Sequence, residues 1–472
     1  MAEEFILRPV DIERDAEALA KMWNESDDQW PGSWTGGVPM TAERIKRWYK
    51  EEDALDVLVW ATPEGAIVGY CSLQKKADEE GVAYVALLNV HPAYQKRSLG
   101  RKMLQAFIER CIKLGFKRLD LDTWSGNLKS VPLYKKTGFF WIPDTQALML
   151  NFLPTILQLA CARPYFDRHD WYKTYVRKLE QHEDDECWRG MKVFTHHWEE
   201  GEDALTVWAD REGRALTAIE TDKFAAAAIS DSIAPPKGLD MNMRWELRNK
   251  SGRPLTVSLI AHGTEHLKLD YRDNFLVLPG ETVERVVAVS IDARMPRVQK
   301  RRPAPKIQTL LLVDGELLEL GTGLRPEPAV VVETAPRRFI VAPGAERTIH
   351  VQLRNALDMP VKGHLSLVAP PGLTISRNDG DVELPPYGQS GLPLTVQAAT
   401  SGVHAMQALL TFAVNGKQGE AAPQELPIVA LYPGQVMAHE EEERIWVDTD
   451  RASYGIRREG GRLEIYWPGA EQ

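Results

Sequence analysis

The chain has 472 residues, 44% of them apolar, a length that suggests about three domains and a composition that can fill buried cores. A net charge of −10 repels nucleic acid and anionic membrane, so neither is expected as a partner. The N-terminus MAEEFILRP carries acids where a secretory signal needs basic residues, and no stretch is apolar for long enough to span a bilayer; a cytoplasmic protein is expected.

In chain order, Glu4 to Pro9 reads as a first strand and Ile12 to Trp23 as an amphipathic helix with Ala16, Leu19, Ala20 and Trp23 on one face. A loop from Asn24 to Met40 holds Asp27, Asp28, Trp30, Trp34 and Gly36-Gly37, after which Thr41 is placed to cap a second helix. The stretch DVLVWATPEGAIVGYCSL reads as a hairpin. The run Val85 to Val90 reads as a buried strand that Pro92 stops, and from Leu99 to Leu114 apolar residues recur at helical spacing. A strand, a tight loop and a helix start leave free backbone N–H groups at the positive end of a helix dipole. Lys96, Arg97, Arg101 and Lys102 add charge, so the natural guest is a phosphate or pyrophosphate. Lys117 to Trp124 alternates as a half-buried strand, and Phe139 to Ile142 and Ala147 to Phe152 supply two more.

Two motifs carry a resemblance. Gln95-Lys96-Arg97-Ser98-Leu99-Gly100 follows Val90-His91-Pro92 in the register of a Gln/Arg-x-x-Gly-x-Gly/Ala loop, with Ser98 at the first glycine. Asn127 to Phe139 follows Asn-x-x-Ala-x-x-Leu-Tyr-x-x-x-Gly-Phe, with Ser130 at the alanine. The N-terminal third therefore resembles the GNAT superfamily of acyltransferases.

That resemblance implies a mixed α/β domain over residues 1–152 and acetyl-CoA as acyl donor. It places the donor against Asn89, Val90, Gln95, Lys96, Arg97, Ser98, Leu99, Gly100, Arg101 and Asn127, and makes Tyr134 the general acid for the departing thiolate. The acceptor is a small-molecule or peptide amine in a groove bordered by the loop of Asp27, Asp28, Trp30 and Trp34, whose aspartates can attract a cation. The plainer alternatives are that these tryptophans cover the sheet edge and that Tyr134 is the buried face of a helix. An amine with a pKa of about 10 must lose a proton before it attacks. Many relatives place a glutamate on the strand matching Ala83 to Val90, and here there is none. Asp78, Glu79, Glu80, Asp120, Asp122, Asp27 and Asp28 stay open as bases or as solvated surface acids.

Residues 153–188 read as a helical connector of two packed helices bearing Trp171, Tyr172 and Tyr175. His169 and His182 form no convincing metal pair, His196 and His197 point to opposite strand faces, and Cys71, Cys111, Cys161 and Cys187 lack ligand spacing, so no metal is expected. Beyond residue 190 the pattern is β throughout, with a repeat: Trp245 to Leu259 matches Val351 to Leu367, each a strand, an Asn turn, a Pro and a strand. Tandem immunoglobulin-like sandwiches are expected at 189–325 and 326–434, giving an α+β multidomain chain. These modules suit protein or glycan contact. The basic run Arg294 to Lys306 reads as a site for a phosphate-rich partner or as a solvated loop. Residues 435–472 read as added strands or the start of a further domain. Beside the amine acetyltransferase stand two other readings: an inactive scaffold that binds protein or carbohydrate, and a protein acting on amino sugars.

Overall fold

The computed structural model describes residues 4–299, 301–441, 444–458 and 461–466. Of the expected features, Lys300 in the basic run and Glu442, Glu443 and Trp467 in the tail lie outside the described residues.

The N-terminal elements are β1 (Ile6–Pro9), α1 (Ile12–Glu25), α2 (Ala42–Glu51), β2 (Ala54–Ala61), β3 (Ile67–Lys75), β4 (Val82–Val90), α3 (Leu99–Leu114), β5 (Arg118–Asp122), α4 (Val131–Lys136), β6 (Phe139–Trp141) and β7 (Leu148–Asn151). Their seven strands form one sheet in the order β1-β2-β3-β4-β5-β7-β6. The β4–β5 pair is parallel; its neighbours β3–β4 and β5–β7 are antiparallel. Asp11 and Thr41 cap α1 and α2 by accepting from the backbone N–H of Arg14 and Arg44. Gly115, at φ 78°, supplies the left-handed residue that ends α3. Gly138, at φ 96°, is held to glycine by its backbone and by Leu153, whose Cδ1 would lie 2.5 Å from a Cβ and would have to shift.

The connector departs from the sequence reading. Residues 153–188 hold three single-turn helices, α5 (Leu153–Ile156), α6 (Arg163–Phe166) and α7 (Trp171–Thr174), then the short strands Tyr175–Val176 and Glu186–Trp188. The helical spacing of DWYKTYVRKLEQHEDD is overridden by tertiary contacts. Tyr175 pairs with Trp198 in the next sheet, and Arg177 donates to the carbonyls of Lys135 and Phe139 while its guanidinium lies 3.4 Å from the Phe140 ring centroid.

Beyond the connector nearly all regular structure among the described residues is β, in five further sheets. The strand Met241–Asn249 pairs with Thr282–Ile291, and Leu255–His262 pairs with both Asp270–Val277 and Lys306–Val313, which pairs with Glu316–Gly323. The second unit repeats this: Glu346–Asn355 with Gln389–Ala398, Val361–Val368 with Asp379–Leu384 and Gly402–Val414, and the last with Gln424–Ala430. The repeated asparagine does the same work twice. Buried Asn249 donates to the carbonyls of Arg253 and Val277 and accepts from Ser251 N; buried Asn355 donates to Met359 and Pro385 and accepts from Leu357 N. The tail is an antiparallel meander, Val436–Glu440, Arg444–Thr449, Ser453–Arg457 and Leu463–Tyr466, held to the second unit by Arg338, which pairs with Glu441 and Asp448 and covers the Trp446 ring.

The N-terminal sheet and the first β unit share one apolar core, in which Phe107, Phe140 and Phe152 continue into Phe194, Trp245 and Leu311. The second unit has its own. Among the described residues no helix is long and apolar enough to cross a membrane. Cys71, Cys111 and Cys161 are buried free thiols, whereas Cys187 is exposed.

Candidate active site

The site begins with a parting of strands. β4 and β5 pair only where Val82, Ala83 and Tyr84 meet Arg118, Leu119 and Asp120. A bulge at Ala86 shifts the β3–β4 register, since Leu73 faces Val85 while Ser72 faces Leu87. Past Tyr84 the two strands diverge, and a cleft of about 610 Å³ opens between Val85–Val90 on one side and Leu121–Trp124 on the other.

One end of the cleft gathers backbone N–H groups. His91 caps a 3₁₀ turn at Pro92–Tyr94, and Gln95 Nε2 donates to the Val90 carbonyl at 3.2 Å, tying the loop to the strand end. Lys96 and Ser98 both take left-handed backbone, φ 62° and 63°. Alternating this conformation with its neighbours makes a concave nest of N–H groups. Ser98 is the N-cap of α3 yet makes no side-chain cap bond, so the first-turn N–H groups of α3 are left for a guest. Two side-chain donors in the cleft wall are also buried and unpartnered, Asn89 Nδ2 and Arg101 Nε. At Gly100 a Cβ would lie 3.3 Å from Leu133 Cδ2, so glycine lets α3 approach α4 across the cleft floor.

The structure brings Asn89, Val90, Gln95, Lys96, Ser98, Leu99, Gly100, Arg101 and Asn127 to the cleft wall, as it does Tyr134. Arg97 is not in that wall; its guanidinium lies over the rings of Phe5 and Tyr94, at 5.7 and 5.3 Å. Tyr134 is 8% exposed and packs edge-on against Phe139. Burial pushes its phenol well above the usual value, so it stays protonated through the neutral range.

The expected acceptor loop divides. Trp30 reaches the cleft, where it lies 6.4 Å from Trp124. Trp34 sits behind it, stacked on Trp23 at 5.0 Å and edge-on to Trp48. Asp27 is spent on its own loop, accepting from Ser33 Oγ at 2.7 Å and Thr35 N at 2.6 Å, bonds that lower its pKa. Asp28 accepts from Gln29 at the surface. Neither carboxylate nor Trp34 lines the cleft, because the loop folds back to seal the apolar side of α1.

Sequence reasoning left Asp122 open as a base but missed other wall residues. Trp124 follows Asp122 by two positions just beyond β5, and the alternation of that stretch was the available signal. Tyr172, from α7, lies under Arg101 and Lys136 at 4.9 and 5.5 Å, and nothing local announces it. Asp120, by contrast, is fully buried between Arg118 and Lys76, which outweigh the burial cost and keep it ionised. The arginines of the basic run are exposed, as a solvated loop requires, yet two of them are also tied down by ion pairs. Arg301 pairs with Asp122 at 3.0 Å, Arg302 pairs with Asp78, and Arg214 bonds the Arg301 carbonyl and Glu79.

The sequence model of the acetyltransferase (GNAT) family matches residues 19–139. The L-methionine sulfoximine/L-methionine sulfone acetyltransferase of Salmonella typhimurium is 27% identical over 128 residues, 26% of this chain and 74% of that protein. The mycothiol acetyltransferase of Propionibacterium freudenreichii is 32% identical over 104 residues, 21% of this chain and 33% of that protein. Among solved structures, PaiA N-acetyltransferase from Thermoplasma acidophilum in complex with coenzyme A covers 31% of this chain and 97% of its own, at 20% identity and a TM-score of 0.25.

Proposed function

We propose that this chain, an acyltransferase with a GNAT acetyltransferase domain at residues 19–139 and acetyl-CoA as its donor, moves the acetyl group to a primary amine by direct attack. The observation that carries the reading is the parting of β4 from β5 beyond Tyr84, with an anion nest at one end of the opening and Tyr134 in its wall. The donor supplies an acetyl thioester. Its pyrophosphate fits the nest at Gln95–Arg101, where capless N–H groups and the unpartnered Nε of Arg101 wait for oxygen. Asn89, Asn127 and Tyr134 line the same cleft; the two asparagines would hold the rest of the donor, and Tyr134 would hold a proton for the departing sulfur. Trp30 and Trp124 form an aromatic wall that suits the apolar body of an amine and the cation at its end.

In this reading the domain occupies residues 1–152, the connector 153–188 joins it to a first β unit at 189–325, and a second unit follows at 326–434 with residues 435–472 attached. The strand order of both units supports an immunoglobulin-like assignment. Use of acetyl-CoA and three buried reduced thiols fit the cytoplasm.

The test is calorimetric titration of acetyl-CoA into the wild type and Gly100→Glu, followed by an amine screen that reads thiol release, with Tyr134→Phe alongside. Binding lost in Gly100→Glu together with amine-dependent thiol release is expected. Binding with no turnover across the panel would instead favour the scaffold reading, and no binding at all would overturn the proposal.

A further inference from the structure

We infer that Asp122 is the group that accepts the proton of the incoming ammonium, and that Arg301, supplied by the first β unit, is its positioning residue. The inference rests on the amine acetyltransferase reading above.

An amine that arrives as an ammonium needs a proton acceptor inside the cleft. β4 offers none, since Val82–Val90 contains no acid. Among the described residues Asp122 is the one carboxylate in the cleft wall. The other acids are committed elsewhere: Asp120 to Arg118 and Lys76, Glu79 to Arg118 and Arg214, Asp27 to its own loop. The side chain of Asp122 is 34% exposed, so it is partly dry yet reachable.

Four groups face it. Tyr84 approaches from β4, Lys76 from the end of β3, Asp120 from its own strand, and Arg301 from the basic run, 3.0 Å from Oδ1. Burial raises the carboxyl pKa, and the charges of Arg301 and Lys76 pull it back. Arg301 does not stand alone. Its carbonyl is held by Arg214, which also pairs with Glu79 of the domain that carries the cleft, and its neighbour Arg302 pairs with Asp78 of that same domain.

The proton balance closes. One N–H bond of the ammonium breaks as an O–H bond forms on Asp122; the nitrogen then bonds the acetyl carbon, the C–S bond breaks, and the second proton from nitrogen goes by way of Tyr134 to sulfur. Asp122 afterwards returns its proton to water.

The test is the pH profile of kcat/KM for the full chain, with acetyl-CoA and an amine that turns over, in wild type, Asp122→Asn, Arg301→Ala and Arg301→Lys. Calorimetric Kd for acetyl-CoA is measured in each. Asp122→Asn should lose about 10²-fold or more and flatten the acid limb. Arg301→Ala should move that limb to higher pH by about half a unit or more, because a cation that favours the carboxylate is gone, and Arg301→Lys should restore it. Kd should stay constant in all. If Arg301→Ala does not fold, Arg301→Gln, which keeps a donor without the charge, reads the same shift. An acid limb that stays in place in Arg301→Ala or Arg301→Gln, or survives in Asp122→Asn, overturns the inference. A wild type that fails to bind acetyl-CoA overturns the underlying reading instead.

Discussion

The ring of Phe140, on the last strand pair of the N-terminal sheet, stacks on Phe194 of the first β unit with centroids 4.8 Å apart. Both rings are almost wholly buried, and His196 stands edge-on to Phe140 from the same strand as Phe194. Phe194→Ala should cost about 3–5 kcal/mol of unfolding free energy. Urea titration followed by Trp fluorescence measures it, and acetyl-CoA affinity should fall with stability because one core serves both parts.

Tyr172, in the cleft wall, lies under the cations of Arg101 and Lys136. Removing a partly exposed cation–π partner costs about 0.5–2 kcal/mol. Tyr172→Ala should weaken acetyl-CoA binding by about three- to thirtyfold in calorimetry while leaving kcat at saturating donor unchanged.

Tyr134→Phe keeps the packing against Phe139 and removes only the hydroxyl. Its kcat should fall by about 10²–10⁴-fold with the acetyl-CoA Kd unchanged. Because burial raises the phenol pKa, the wild type should show no loss of rate from Tyr134 ionisation below pH 10.

Asp210 is wholly buried, and burial pushes its carboxyl up to about 7 although the backbone N–H groups of Gly213 and Gly323 oppose the shift. A carboxyl raised in the folded state contributes its stability below the unfolded value near 4 and loses it as pH rises through about 7. The urea midpoint should therefore climb as pH is lowered from 8 toward 5. Asp210→Asn, which can still accept from both N–H groups, should flatten that climb.

Much of the N-terminal domain is legible because its signals are local. The bounds of α3 follow from apolar spacing that starts at Leu99 and from the glycine after Leu114; the nest follows from the loop between Pro92 and Leu99. What could not be read are contacts between residues far apart in the chain. Arg97 looks like a cradle cation in its motif, yet Phe5, from the first strand, is where its charge lies. Asp27 and Asp28 look like cation attractors until the turn at Ser33 to Thr35 claims the first. The connector has helical spacing, but the sheet beside it takes Tyr175. The basic run reads only as a solvated loop because its acidic partners, Asp78 and Asp122, lie far earlier in the chain.

Asn249 and Asn355 fix the same turn with the same three bonds, inside units whose strands pair in the same order. The two units nevertheless end in different surroundings. The first has a sheet widened by added strands and an interior continuous with that of the N-terminal domain. The second has a closed interior of its own. One strand plan thus serves as a wall of the N-terminal domain in one place and as a self-contained module in another, so the second unit is the part of the chain that can be cut away without opening the core behind the cleft.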